Sequence, residues 1–227
     1  VGATCTVTED DNSDANDVVI TGDNVVDDGN GKATVKPGVD SAQVEFTNAY
    51  DSGTFRLVKK TTGPGAAAYG AGPFTFAVTC NYGGQTVFTG AVQLRADESR
   101  TFGPYPTSTS CSAMETVTGG ANSSTLEPDG GVVTIAESGA TPEIKATNVF
   151  GLTSLDVVKK RVGHTKGGAS NGPFTVALNC TWFKDGQRVP FTTPGGAERV
   201  LSKSNGYQAS YTDLPSSALC DLEETKK

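Results

Sequence analysis

A block in this 227-residue chain recurs out of phase with the chain's own ends, and this limits the available folds more than composition does. GPFTFAVTC, Gly72 to Cys80, returns as GPFTVALNC, Gly172 to Cys180, and TFRLVKK ending at Lys60 returns as SLDVVKK ending at Lys160. A period of about one hundred residues is the size of one small domain, so the chain reads as a window on a tandem array. Cys-x-x-x-Glu occurs as Cys5 to Glu9, Cys111 to Glu115 and Cys220 to Glu224, and VEFTNAY (Val44 to Tyr50) matches IKATNVF (Ile144 to Phe150). In register, one repeat runs from a Lys-bearing strand through a GPF strand ending in Cys, then a Cys-x-x-x-Glu strand and an acidic or Gly-rich hairpin, to an Asn-bearing strand. Residues 51–150 contain every part, residues 1–50 the back part of a preceding repeat, and residues 151–227 the front of a following one. Repetition of a whole domain points to a stalk or fibre before it points to an enzyme.

With 28 Gly, 11 Pro and a single Met, beside abundant Val and Thr, the chain is poor in helix formers and rich in strand and turn formers. An all-β class follows. No apolar run approaches the roughly 20 residues that cross a bilayer, and no basic, apolar leader opens the sequence, so any export signal or anchor is expected outside this window. A formal charge of -7 disfavours nucleic acid and anionic membrane surfaces as partners, because both repel it.

The repeat frame organises the five cysteines. Cys80 ends one apolar strand and Cys111 begins another; Cys180 and Cys220 hold the same two positions in the third repeat. Cys5 matches Cys111 and Cys220, which puts its natural partner upstream of residue 1. Two disulfides, Cys80 to Cys111 and Cys180 to Cys220, fit an oxidising extracellular setting and stabilise by roughly 3 to 4 kcal/mol each through loop closure. Buried free thiols of a cytosolic protein are the other reading.

Alternation along a strand sends every second side chain to one face. Phe55, Leu57 and Lys59 share a face, as do Leu155, Val157 and Lys159. Phe74, Phe76, Val78 and Cys80 align, and so do Cys111, Ala113 and Glu115, and Ile144, Ala146 and Asn148. Lys, Glu and Asn thus each project from an otherwise apolar face. Burying a lone charge is costly, so three such groups are expected to meet. A lysine desolvated among apolar groups loses its proton more easily, and its neutral amine can attack an asparagine amide carbon while a carboxylic acid shuttles the proton. The product is a Lys–Asn isopeptide bond, with loss of ammonia. Lys60 is the alternative nucleophile if a bulge shifts the register. The plainer reading makes Lys59 an exposed strand end, Glu115 an edge charge and Asn148 a turn residue.

These residues carry a resemblance. The Lys-bearing strand, the Cys-x-x-x-Glu strand and the Thr-Asn-x-Tyr/Phe segment resemble CnaB-type, prealbumin-like repeats of Gram-positive surface adhesins and pilins, and more narrowly the cysteine-containing tandem repeats of actinobacterial cell-wall-anchored proteins. The resemblance covers essentially the whole chain. It implies tandem antiparallel β-sandwich domains, CnaB-like or immunoglobulin-like, arranged as a rod. It also implies an isopeptide triad of Lys59, Glu115 and Asn148, with Glu9 and Asn48 as remnants of one further triad and Lys159 and Glu224 of another. No cofactor is implied.

The acidic segment from Glu9 to Asn30 is rich in oxygen ligands but has no EF-hand spacing, and reads as a solvated hairpin rather than a calcium site. His164, the one histidine, reads as a loop residue, and no metal cluster is expected. Asn122-Ser-Ser and Asn179-Cys-Thr fit the glycosylation sequon, a short and common pattern. Leu214-Pro-Ser-Ser-Ala marks a turn entering a strand. The expected function is an extracellular, cell-surface structural stalk that holds something away from a cell wall, its partners being neighbouring repeats of the same chain or other copies in a fibre. An adhesion module using sandwich loops is the alternative, with Trp182 and Phe183 as its one sequence hint; a secreted enzyme beyond the window is another. A non-reducing peptide map should recover Cys80 joined to Cys111, and free thiols at both positions would remove the extracellular assignment.

Overall fold

The computed structural model describes residues 2–13, 15–136, 140–162 and 172–226. The loop position read for His164 lies outside them. Strands β1 (Cys5–Thr8), β2 (Asp17–Gly22), β3 (Val25–Gly29), β4 (Lys32–Val35) and β5 (Val44–Ala49) come first. The middle stretch holds β6 (Ser52–Thr62), a short helix α1 (Ala66–Tyr69), β7 (Phe74–Tyr82), β8 (Gln85–Leu94), β9 (Ser99–Pro106), β10 (Ser110–Val117), β11 (Ser123–Glu127), β12 (Val132–Thr134) and β13 (Glu143–Val149). Last come β14 (Leu152–Val158), β15 (Phe174–Lys184), β16 (Gln187–Pro190), β17 (Glu198–Leu201), β18 (Gln208–Pro215) and β19 (Ala218–Lys226). The protein is all-β and built of sandwiched sheets.

In the middle stretch two four-stranded sheets, in the orders β12-β10-β7-β8 and β11-β13-β6-β9, face each other. Their inner faces follow the period-2 pattern. Phe55 and Leu57 of β6 and Ile144 and Ala146 of β13 meet Phe74, Phe76 and Val78 of β7 and Ala113 of β10 in one buried cluster. The turn between β7 and β8 is fixed by local chemistry. Gly83 and Gly84 both take positive φ, 54° and 78°, the conformation that a two-residue hairpin with native twist requires. The β15–β16 hairpin solves the same problem with Asp185 and Gly186.

Strands β6 and β13, first and last of this stretch, pair side by side and parallel, while β6 pairs β9 and β13 pairs β11 antiparallel. That one parallel seam sets Lys59 opposite Ala146 and Asn148 two residues further along the same face. A second buried cluster joins Val157, Phe174, Val176, Leu178, Leu201, Tyr211 and Leu214. The first stretch buries much less, chiefly Ile20, Ala33 and Val35.

Trp182 and Phe183 require a correction, because they do not lie in a loop. They continue β15, and the alternation that buries Phe174, Val176, Leu178 and Cys180 also buries Trp182, whose ring packs 5.3 Å from that of Tyr69. Only Phe183 on the opposite face is exposed. The acidic segment forms β2, β3 and their turn. Asp27 accepts from the backbone of Gly29 and Ile20, and Asp28 from the Thr34 hydroxyl. Among the described residues no group of His, Cys, Asp or Glu is arranged to hold a metal ion.

Because the core is close-packed, Phe76→Ala should destabilise the protein by about 3–5 kcal/mol, read by urea unfolding of reduced and oxidised samples. An exposed replacement such as Val87→Ala should stay within about 0.5 kcal/mol.

Candidate functional site

The site is assembled from β6, β10, β13 and β11. Lys59 is carried inward by the alternation of β6 and is fully buried, its Nζ lying over the rings of Phe74 at 4.4 Å and Phe76 at 5.8 Å. Glu115 projects from β10 beside a bulge, where Glu115 opposes Phe76 and Val117 opposes Thr75. The extra residue, Thr116, is tied down by its hydroxyl donating to the Thr75 carbonyl. The register is regular up to Glu115, so alternation from Cys111 and Ala113 aims the carboxylate inward and the bulge follows it. Asn148 follows Ile144 and Ala146 onto the buried face of β13.

Lys59 Nζ lies 2.9 Å from Glu115 Oε1, the two side chains being 0% and 3% exposed. The approach is off the hydrogen-bonding direction, so the amine is an ionic neighbour of the carboxylate without a directed acceptor. Asn148 Nδ2 donates to the same Oε1 at 2.9 Å and to the Thr118 carbonyl at 3.0 Å, while its Oδ1 is buried without a partner. Because both neighbours of Nδ2 are acceptors, this amide orientation is the favoured one. Ser124 Oγ donates to the other carboxylate oxygen at 2.5 Å and holds the group in place. One oxygen therefore touches both the lysine nitrogen and the amide nitrogen. That arrangement can carry a proton from an attacking amine to a departing one.

Burial lowers the Lys59 pKa below its ordinary 10.5, and the close contact and charge of Glu115 oppose that shift without cancelling it. Lys60, the alternative nucleophile, points outward and pairs with Asp97 at 2.9 Å.

The other two sets are each brought together in part. Asn48 Nδ2 donates to Glu9 Oε1 at 2.8 Å, but Glu9 Oε2 is buried without a partner. Ser124 faces Asn148 across its strand pair, whereas Val18, which has no hydroxyl, faces Asn48. Lys159 Nζ lies 3.0 and 2.7 Å from the two Glu224 oxygens and 4.8 Å from the Phe174 ring, but the pair is open, 28% and 24% exposed. The bulge recurs here, Glu224 opposing Val176 and Lys226 opposing Thr175. Disulfides join Cys80 to Cys111 and Cys180 to Cys220, each pair directly opposite on neighbouring strands; Cys5 is an exposed free thiol.

Sequence reasoning missed Ser124, the Thr118 carbonyl and the bulge. Their only trace is Cys-x-x-x-Glu-x-Val and its counterpart Cys-x-x-x-Glu-x-Lys, which do not announce a register shift.

Fold and site together describe a disulfide-bearing β-sandwich protein with a buried Lys–Glu–Asn cluster. The family described as a domain of unknown function (DUF5979) matches over residues 1–51 and 55–151, and the chain belongs to it. Among solved structures, the chain is similar to a Mobiluncus mulieris adhesin containing intramolecular disulfide, isopeptide and ester bond cross-links: 24% identity over 49% of this chain and 45% of that one, TM-score 0.36. This chain thus spans just under half of that adhesin's length. It is also similar to a single B repeat unit of the collagen-binding surface protein of Staphylococcus aureus, at 17% identity over 78% and 87% of the two chains, TM-score 0.26. A streptococcal ancillary pilin aligns at 7% identity over 86% and 74%, TM-score 0.37. No curated protein matches the chain.

In an Asn148→Ala variant, which keeps the Lys59–Glu115 pair, the lowered lysine pKa has a definite consequence. Between that lowered value and 10.5 the unfolded state binds more protons than the folded state, so stability rises with pH across this window. Urea unfolding from neutral pH upward should show the rise, and Lys59→Met in the same background should flatten it.

Proposed function

We propose that Lys59 and Asn148 become joined by an intramolecular isopeptide bond, with Glu115 as the proton carrier, and that residues 51–150 form one complete repeat of an extracellular structural array. The observation that carries this reading is the single oxygen, Glu115 Oε1, 2.9 Å from both the Lys59 nitrogen and the Asn148 nitrogen. The neutral Lys59 amine attacks Cγ of Asn148 and forms the new C–N bond. Glu115 takes the proton released from Nζ and returns it to Nδ2, the Cγ–Nδ2 bond breaks, and ammonia departs. Amine and primary amide go in; secondary amide and ammonia come out, and no oxidant or cofactor enters. Burial supplies the neutral amine and a high effective molarity together. The reaction occurs once per domain and has no turnover. Glu9 with Asn48, and Lys159 with Glu224, are the corresponding parts of two further triads.

The repeat boundaries, 1–50, 51–150 and 151–227, are supported by the strand pairing. Each sheet draws its strands from one of these ranges. The two segments matched by the family also meet near residue 51. The disulfides favour an oxidising, extracellular setting. Among the described residues no helix is long and apolar enough to cross a membrane.

The function is mechanical. A bond between β6 and β13 makes tension on the chain ends load a covalent link instead of strand pairing, and the sandwich then resists extension and proteolysis. Such a repeat serves as a stalk segment at a bacterial surface. Intact-mass measurement after reduction should show the protein one ammonia lighter than its sequence, with the full mass restored in Lys59→Ala, Glu115→Ala and Asn148→Ala. The full theoretical mass in the unaltered protein would sink the crosslink.

A further inference from the structure

Two junctions in the chain are built to the same plan. Asn16 stands eleven residues after Cys5, and Asn122 eleven after Cys111. Thr107 precedes Cys111 by four residues and Ser216 precedes Cys220 by four; Asp51 and Gly151 each follow the buried-face asparagines Asn48 and Asn148 by three. At the first junction the Asn16 backbone N–H donates to the Ala49 carbonyl at 2.8 Å and its Oδ1 accepts from the Asp51 N–H at 2.7 Å. Its Nδ2 donates to Thr107 Oγ1 at 3.2 Å, and the Thr107 N–H donates to the Asp51 carbonyl at 3.1 Å.

The second junction reproduces all four bonds. Asn122 N–H donates to the Val149 carbonyl at 2.8 Å, Gly151 N–H to Asn122 Oδ1 at 2.5 Å, Asn122 Nδ2 to Ser216 Oγ at 2.6 Å, and Ser216 N–H to the Gly151 carbonyl at 3.1 Å. Here further contacts are added: Asp185 Oδ1 accepts from the Gly119 N–H at 2.8 Å, and the Tyr69 hydroxyl donates to the Asp213 carbonyl at 2.7 Å. The four-bond ring is what the two junctions share.

We propose that Asn16 and Asn122 are clamps that fix the orientation of each repeat on the next, the surface they recognise being the hydroxyl-bearing turn that precedes the Cys-x-x-x-Glu strand of the following repeat. This rests on the repeat boundaries proposed above and not on the crosslink. An amide suits both of its neighbours. Its oxygen accepts from the linker N–H while its nitrogen donates to the hydroxyl, so the amide ties its own repeat, the linker and the next repeat into one closed ring. Aspartate supplies acceptors only, so with it the ring closes only if the hydroxyl turns to donate. Alanine breaks it on both sides. The turn tolerates either hydroxyl residue, since Thr107 and Ser216 fill the same role. Asn122 also heads the Asn-Ser-Ser sequon.

Residual dipolar couplings of the full chain test the proposal. Couplings from the described residues within 52–149 and within 152–226 should fit one alignment tensor in the unaltered protein and in Ser216→Thr. In Asn122→Ala and Ser216→Ala the two sets should require separate tensors. Asn16→Ala should do the same to the sets on either side of Asp51. A single shared tensor retained in Asn122→Ala or in Asn16→Ala would overturn the clamp. Amide shifts away from the junction report folding, and the loss of ammonia reports the crosslink, so failure of either is read separately from failure of the clamp.

Discussion

The middle sandwich is organised around one energetic demand: a fully buried amine lying over two phenylalanine rings must have a carboxylate beside it. An unpaired charge at such depth costs several kcal/mol, comparable with the net stability of a small domain. The demand fixes more than a contact. Glu115 faces Lys59 at the point where β10 bulges, Asn148 joins them on β13, which runs parallel beside β6, and Ser124 steadies the carboxylate from β11, paired with β13. The cluster therefore ties both sheets into a single alignment.

The three copies vary in how fully that cluster is enclosed. In the middle stretch both Glu115 oxygens and Asn148 Nδ2 have directed partners, Lys59 Nζ and Asn148 Oδ1 have none, and the lysine is fully buried. Around Glu9 the pairing with Asn48 persists, but Val18 in place of a hydroxyl leaves one carboxylate oxygen unsatisfied. Around Lys159 both ions of the pair are partly exposed to solvent. The glutamate of the Cys-x-x-x-Glu strand thus stands in three different settings.

Much of this was legible in the sequence. Period-2 alternation placed Lys59, Glu115 and Asn148 on buried faces, and the repeat frame aligned the cysteines that the structure joins. What escaped was whatever depends on two strands at once. The bulge after Glu115 exists because β10 and β7 slip past each other, and Ser124 matters only through its partner strand; neither leaves a periodic mark on a single stretch of chain. The reach of β15 is hidden for a related reason: its apolar alternation runs on past Cys180 to Trp182, so half of an aromatic pair that reads as a loop feature belongs inside. The junction asparagines were equally hidden, since exposed Asn residues at strand starts are common and only geometry shows both ends of the amide in use.

The parallel seam sets how the chain travels through space. A chain that starts along β6 and finishes along β13 enters at one end of the sheet and leaves at the other, having advanced by roughly the length of its 11-residue first strand, about 36 Å at ~3.3 Å per residue. An antiparallel closing strand would return the chain to its starting end and fold any succession of such units back on itself. Parallel closure gives the molecule a direction, and each further unit extends the reach without reversing it.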